Sequence, residues 1–278
     1  MAAIFIVGAG SGGVVAADLL TRDPSVTRVS LVDPDVYKPH NIHRHLFPSS
    51  AVGRFKAELA AEWVKTIRPD LVVQAVIADI TDPARQEELA RLAEECDIGV
   101  CAVDNETAKF AFDSLMRETR RPWTLGEVLS GGIGGWVHRF TPGGACYGCV
   151  AGRLQREVKE EPAAPLPDYS DPESTVRETT IPAGKSAISV IASLHATVTL
   201  ELLSRLRPGE APAEPLGSDF TSLLFSLARV PGIFEEPFRS YRFHICRSPS
   251  CLVCGAVNVP AGDLDAAVDA AIDRLGSR

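Results

Sequence analysis

The first residues set a pattern that then repeats along half the chain. Residues 4–7 (Ile-Phe-Ile-Val) are uniformly apolar, as a strand buried on both faces requires, and they run directly into a glycine-rich turn at Gly8. Residues 14–20 read as a helix, and residues 29–32 form a second apolar run that stops at Asp33. Strand, glycine turn, helix, strand and acidic residue make a βαβ unit. The alternation continues with a helix over 53–67, a strand over 71–77, a helix over 82–95, a strand over 98–103 and a helix over 109–119. Asp82 is the expected N-cap of the third of these helices, with Pro83 at its first position. Repeated strand–helix alternation predicts an α/β fold, a doubly wound and mostly parallel Rossmann-like sheet.

Near residue 123 the pattern changes. Residues 123–140 are rich in glycine and β formers and predict an antiparallel hairpin or meander. Residues 154–185, rich in Pro, Glu and Lys, lack periodicity and read as a long mobile crossover loop. A long apolar helix follows over 186–205, then a Pro-rich connection over 208–217 and a final strand over 241–245. Leu264, Val268, Ile272 and Leu275 place one stripe on a closing amphipathic helix over 263–275. The chain has no internal repeat. It reads as a single domain, 1–278, with a nucleotide-binding part over 1–122 and an antiparallel extension over 123–278.

Composition narrows the choice of function. With 278 residues, 45% hydrophobic and 23% charged, the chain has the profile of a soluble globular protein. A net charge of −8 argues against a general nucleic-acid groove, which needs clustered Lys and Arg. The most membrane-like stretch, 187–203, carries Ser189, Ser193, His195, Thr197, Thr199 and Glu201, which suits a buried helix rather than a bilayer span. The N-terminus has neither the basic region nor the apolar length of a secretory signal, so the cytoplasm is the expected compartment. In such a reducing compartment, seven cysteines with four in two Cys-x-x-Cys pairs point to metal rather than disulfides.

Three groups of residues carry candidate chemistry. Gly8-x-Gly10-x-x-Gly13 fits a phosphate-binding turn: Gly8 for the tight turn, Gly10 for close approach of phosphate, Gly13 for helix–strand packing. Asp33, about 20 residues on, is placed to bind ribose hydroxyls. The second group is Asp35, Asn41, Arg44, Lys56 and Asp104. Each alone reads as a solvated surface group, but the ordered set suits a triphosphate-cleaving site better than a nicotinamide site. Arg44 and Lys56 neutralise phosphate charge, Asn41 donates a hydrogen bond, and Asp104 at a strand end can hold Mg²⁺. The third group is Cys146-x-x-Cys149 with Cys251-x-x-Cys254, four thiolates suited to a tetrahedral Zn²⁺ site tying the end of the chain to its middle. Each pair is expected to form a tight turn, and a redox role is disfavoured because neither pair is expected to open a helix after an early strand. Cys96 and Cys101 read as core residues and Cys246 as a bystander. His40, His43 and His45 read as nucleotide-site or exposed residues rather than metal ligands, and His138, His195 and His244 as packing residues.

The string Asp33-x-Asp35-(x5)-Asn41-x-x-Arg44, then Gly53-x-x-Lys56-Ala57, then Asp104-Asn105, resembles the ubiquitin-activating-enzyme-like adenylyltransferases of the ThiF/MoeB type, with the likeness extending from Gly8 to Gly255. The resemblance implies an ATP-dependent adenylyltransferase with Gly8, Gly10, Gly13, Asp33, Asp35, Asn41, Arg44, Lys56 and Asp104 at the nucleotide. It also implies Mg²⁺ on Asp104 and a structural Zn²⁺ on Cys146, Cys149, Cys251 and Cys254. The implied partner is a ubiquitin-like or sulfur-carrier protein whose C-terminal carboxylate is activated, with a homodimer or a heterodimer of related subunits as the assembly. Alternatives within the family are a peptide or small acid as substrate, or a non-catalytic partner subunit. Two departures shape these expectations. Residues 154–185 contain no cysteine to accept an acyl group, so adenylation without an obligatory thioester on this chain, or transfer to a cysteine on a partner, is expected. The chain starts on its first strand, so the arginine that relatives supply from an N-terminal segment is expected to be dispensable, replaced, or provided by a second polypeptide. Ser11 stands where a further glycine is common, and Lys109 where arginine often follows the Asp-Asn pair.

Overall fold

The computed structural model describes residues 1–154, 182–206, 216–217 and 219–255. Most of the expected crossover loop, most of the Pro-rich connection and the whole of the expected helix over 263–275 lie outside the described residues.

Eight strands form one sheet in the order β3-β2-β1-β4-β5-β6-β7-β8. These are β1 (Ala2–Val7), β2 (Val26–Val32), β3 (Val72–Val76), β4 (Ile98–Cys101), β5 (Trp123–Val128), β6 (Gly134–Phe140), β7 (Ser222–Ser226) and β8 (Ser240–Phe243). The first five are parallel, and the last three continue the sheet in antiparallel fashion. The sequence-based expectation of a parallel sheet with an antiparallel extension therefore describes the fold. β7 is the strand that hydropathy missed: Ser-Leu-Leu-Phe-Ser shows no alternation, and its pairing with β6 and β8 makes it a strand.

The helices are α1 (Ser11–Thr21), α2 (Lys56–Ile67), α3 (Gln86–Glu95), α4 (Glu106–Glu118), α5 (Tyr147–Arg153) and α6 (Lys185–Arg205). Helix boundaries differ from the periodic reading where local chemistry intervenes. Gly53 has φ +93°, so α2 starts at Lys56. Asp82 caps a short 3₁₀ turn over Pro83–Arg85 by accepting the Ala84 amide, and α3 follows it. Asn105 caps α4 by accepting the Ala108 amide at 2.8 Å, which starts that helix three residues earlier than expected.

One large apolar cluster, including Phe5, Phe112, Trp123 and Tyr147, lies between the sheet and α3, α4 and α5; a second packs α1 and α2 on the other face. Cys96 and Cys101 are buried, as expected of core residues. Helix α6 is the one described helix long and apolar enough to cross a membrane, yet Ile188, Ile191, Ala192, His195, Val198 and Leu202 are buried, and the helix lies against α1, β5 and β6. Burial in the protein accounts for its composition.

Candidate functional site

The strand order reverses beside β1, with β2 on one side and β4 on the other. A crevice forms at the C-terminal ends of the strands at such a point. Here it is a cavity of about 440 Å³ lined by Gly8, Gly10, Ser11 and Gly12 of the glycine turn, Asp33 and Asp35 after β2, Arg44, Lys56, and Ala102 to Asn105 after β4.

Steric contacts shape the turn. Gly8 has φ +98°, and a Cβ there would lie 2.6 Å from the Ala102 carbonyl oxygen. A Cβ on Gly13 would meet the Gly8 carbonyl oxygen at 1.9 Å. At Gly10 a Cβ would meet no atom within 4 Å, so this residue faces open space on the cavity wall. Gly10 is also the N-cap of α1 and has no side-chain cap, which leaves the helix's first amides available to an anion.

Asp33 is 6% exposed and accepts two backbone amides, Ala9 N–H at 2.6 Å and Asp35 N–H at 2.8 Å, one on each oxygen. Burial pushes its carboxyl pKa up, opposed by the charge of Lys56 and by these amides. Lys56, 9% exposed, donates to Asp35 Oδ2 at 2.6 Å. Arg44 lines the cavity, and its guanidinium has no partner among the described residues. The exposed Asp104 carboxylate likewise has no protein partner among the described residues and opens into the cavity.

Asn41 stands apart from this group. Its side chain is buried, its Oδ1 accepts the Lys38 amide at 2.8 Å, and it does not line the cavity. It braces the segment that presents Arg44, whose own amide bonds the Asn41 carbonyl at 3.1 Å.

The histidines divide by environment. His43 is exposed and His40 half-buried. His45 is buried beneath the turn, donating from Nε2 to the Ala9 carbonyl at 3.1 Å and packing on Tyr37 and Phe47. Burial drops its pKa to about 4, and the nearby charges of Lys56, Lys185 and Arg44 act in the same direction. His138 and His195 are buried, though each also makes polar contacts beyond the expected packing, and His244 is exposed.

Several cavity residues escaped the sequence reading. Glu127 and His195 line the inner wall, and Lys109 bridges Glu106 at 2.7 Å and Glu127 at 2.5 Å. Glu127 also meets His138 Nε2 at 3.1 Å, and Tyr147 donates to Glu106 at 2.7 Å. This buried ionic chain connects the cavity wall to α5. Only the position of Lys109 after the Asp-Asn pair hinted at it.

Helix α5 carries the first cysteine pair. Cys146 is its N-cap and Cys149 lies in its first turn, so the first pair opens a helix instead of forming the expected tight turn. It follows an antiparallel strand near the middle of the chain, and its thiols face the second pair. The four sulfurs of Cys146, Cys149, Cys251 and Cys254 lie within 4.8 Å of one another, with separations of 3.8, 3.6 and 3.5 Å for Cys146–Cys149, Cys146–Cys251 and Cys149–Cys254. A tetrahedron with Zn–S bonds of about 2.3 Å has sulfurs about 3.8 Å apart, so the set fits that ion. The Ser248 and Val253 amides each point at a sulfur from 3.4 Å, the outer support expected of thiolates. Cys246 is exposed and outside the cluster.

Among curated proteins, the chain is 29% identical over 185 residues to ubiquitin-like modifier-activating enzyme 5 of Arabidopsis thaliana and 30% identical over 182 residues to that of Oryza sativa subsp. japonica. Each alignment covers 59% of this chain and 43% of the relative. The chain thus matches less than half the length of these relatives. Among solved structures, E. coli MccB with AMPCPP and MccA matches with a TM-score of 0.66 at 19% identity, covering 91% of this chain and 66% of that one. MccB with ATP matches with a TM-score of 0.65 at 19% identity, covering 91% and 67%. At this identity the likeness bears on the fold. The ThiF family profile matches residues 1–231, which take in the glycine turn, Asp33, Arg44, Lys56, Asp104 and the first cysteine pair, and the chain belongs to the ThiF family.

Proposed function

We propose that this chain uses ATP to adenylate the C-terminal carboxylate of a ubiquitin-like or sulfur-carrier protein. The observation that carries this reading is the convergence of the α1 N-terminus, Asp33, Arg44, Lys56 and Asp104 on one cavity at the sheet's switch point. In the reaction a carboxylate oxygen attacks the α-phosphorus. The bond to the bridging oxygen breaks, and pyrophosphate leaves with the electron pair. No side-chain nucleophile is required, and the burden falls on positioning and charge compensation. Asp33 holds the ribose, the turn amides and Arg44 hold phosphate oxygens, and Lys56 exchanges the exposed Asp35 for phosphate. Asp104, with its carboxylate open to the cavity, would hold Mg²⁺, which supplies charge neutralisation on the polyphosphate. The cysteine set would hold Zn²⁺ as a structural clamp. Burial pushes the Cys96 and Cys101 thiols up to about 12, so neither is suited to carry the acyl group as a thioester.

A second reading is adenylation of a peptide. It is favoured by the MccB–MccA structures, which match this fold over 91% of its length, whereas the activating-enzyme relatives align over 59%. The curated relatives favour the protein substrate. ATP–pyrophosphate exchange with Gly-Gly-ended carrier proteins and with short peptides decides between them. Exchange with a carrier supports the first reading, and exchange with peptides alone establishes the second. Absence of exchange with every carboxylate, in a protein that still folds, overturns both. Asp104→Ala is expected to lower exchange about 100-fold or more without unfolding the protein.

A further inference from the structure

Lys185, the first residue of α6, has an Nζ shielded from solvent that reaches no hydrogen-bond acceptor among the described residues. A shielded ammonium without an acceptor is costly, and an anion arriving beside it removes the cost. Its surroundings identify the anion. Gly12, in the first turn of α1, lies so close to α6 that a Cβ on it would be 3.7 Å from Ile188 Cγ2. Ala183 and Ile188, on either side of Lys185, line the same cavity as Gly10, Ser11 and Gly12, while Lys185 stands behind that wall with its Nζ shielded. Two helix N-termini, each capped by a glycine with no side-chain bond, therefore open beside one another. Lys185 also stands close enough to His45 for its charge to fall on that ring, together with Lys56 and Arg44.

From this arrangement we infer that Lys185 is a third phosphate-binding cation of the nucleotide site, joining Arg44 and Lys56 on the polyphosphate. The inference rests on the nucleotide reading of the cavity. Arg44 and Lys56 beside one divalent cation balance a triphosphate only once Lys56 has left Asp35, whereas Lys185 has no acceptor among the described residues to give up. Lys185 comes from the far side of the crossover, and it couples the placement of α6 to polyphosphate binding.

The test measures binding of MgATP, pyrophosphate and AMP by calorimetry to the full chain, to Lys185→Met and to Lys185→Arg. The expected result is a loss of about 10- to 100-fold in affinity for MgATP and pyrophosphate in Lys185→Met, with AMP changed less than threefold and Lys185→Arg close to wild type. Ligand-free Lys185→Met should melt at or above the wild-type temperature, because it removes a shielded charge that has no acceptor among the described residues. Unchanged MgATP affinity in Lys185→Met overturns the inference and leaves the nucleotide reading standing. An equal loss for AMP, or a lowered ligand-free melting temperature, assigns Lys185 a structural role and also overturns it. Failure of the wild-type chain to bind MgATP overturns the nucleotide reading and the inference together.

Discussion

The carboxylate of Asp33 accepts the Ala9 amide at 2.6 Å, so the residue suited to the ribose also closes the glycine turn. Because its second oxygen holds the Asp35 amide, one side chain sets the relative position of β1, β2 and the start of the phosphate loop. Asp33→Asn replaces one of these acceptors with an NH₂ group facing a backbone N–H. The expected outcome is a loss of about 1–3 kcal/mol in denaturant unfolding together with weakened ATP binding. A variant as stable as wild type would show that the turn closes without this carboxylate.

Gly13 makes a steric prediction. Its missing Cβ leaves room for the Gly8 carbonyl, at a separation of 1.9 Å that no side chain can share. Gly13→Ala must push α1 away from β1 and is expected to destabilise the fold by more than about 2 kcal/mol. By contrast, Gly10→Ala meets open space in the fold. It should leave the melting temperature within a degree or two while weakening nucleotide binding, which calorimetry checks.

For the cysteine cluster, metal analysis of the purified protein should find about one zinc per chain. Chelation, or Cys146→Ser, should lower the melting temperature by several degrees, since the ion joins α5 to the segment carrying Cys251 and Cys254. Cys246→Ser, outside the cluster, is the control and should change neither metal content nor stability. A melting temperature insensitive to chelation would refute the clamp.

His195 sets a pH dependence. Burial drops its pKa from 6.5 to about 4, with Nε2 2.9 Å from the Thr124 hydroxyl. Between these values the unfolded chain binds the proton that the folded chain refuses. The contribution to stability is therefore full above pH 6.5 and is lost as pH falls through the window towards 4. It is on the order of 3 kcal/mol across the full window. Asp113, whose carboxyl burial pushes up to about 6, titrates in the same range with the opposite sign. The readable quantity is therefore the difference in unfolding free energy between wild type and His195→Gln at each pH. That difference should shift steadily against the wild type from pH 6.5 to 4.5, and a flat difference would refute the assignment.

The parallel half of the fold, the glycine turn, Asp33 and the four-cysteine set are legible in the order of residues alone. Each is written in a local rule: unbroken apolar strands, a turn that excludes Cβ atoms, an acid at a fixed distance, and thiols spaced for one ion. Folding was needed to show that Asn41 braces the Arg44 segment away from the cavity wall, that His45 is buried under the turn, and that Lys109 and Glu127 pair on the inner wall. It alone brought Ile188 of α6 back beside a turn more than 170 residues earlier in the chain, and it made a strand of β7. The reason is physical. A crossover that lays one helix against another, or a strand that forms because its neighbours need pairing, depends on contacts between distant segments, and those contacts leave no period in the sequence.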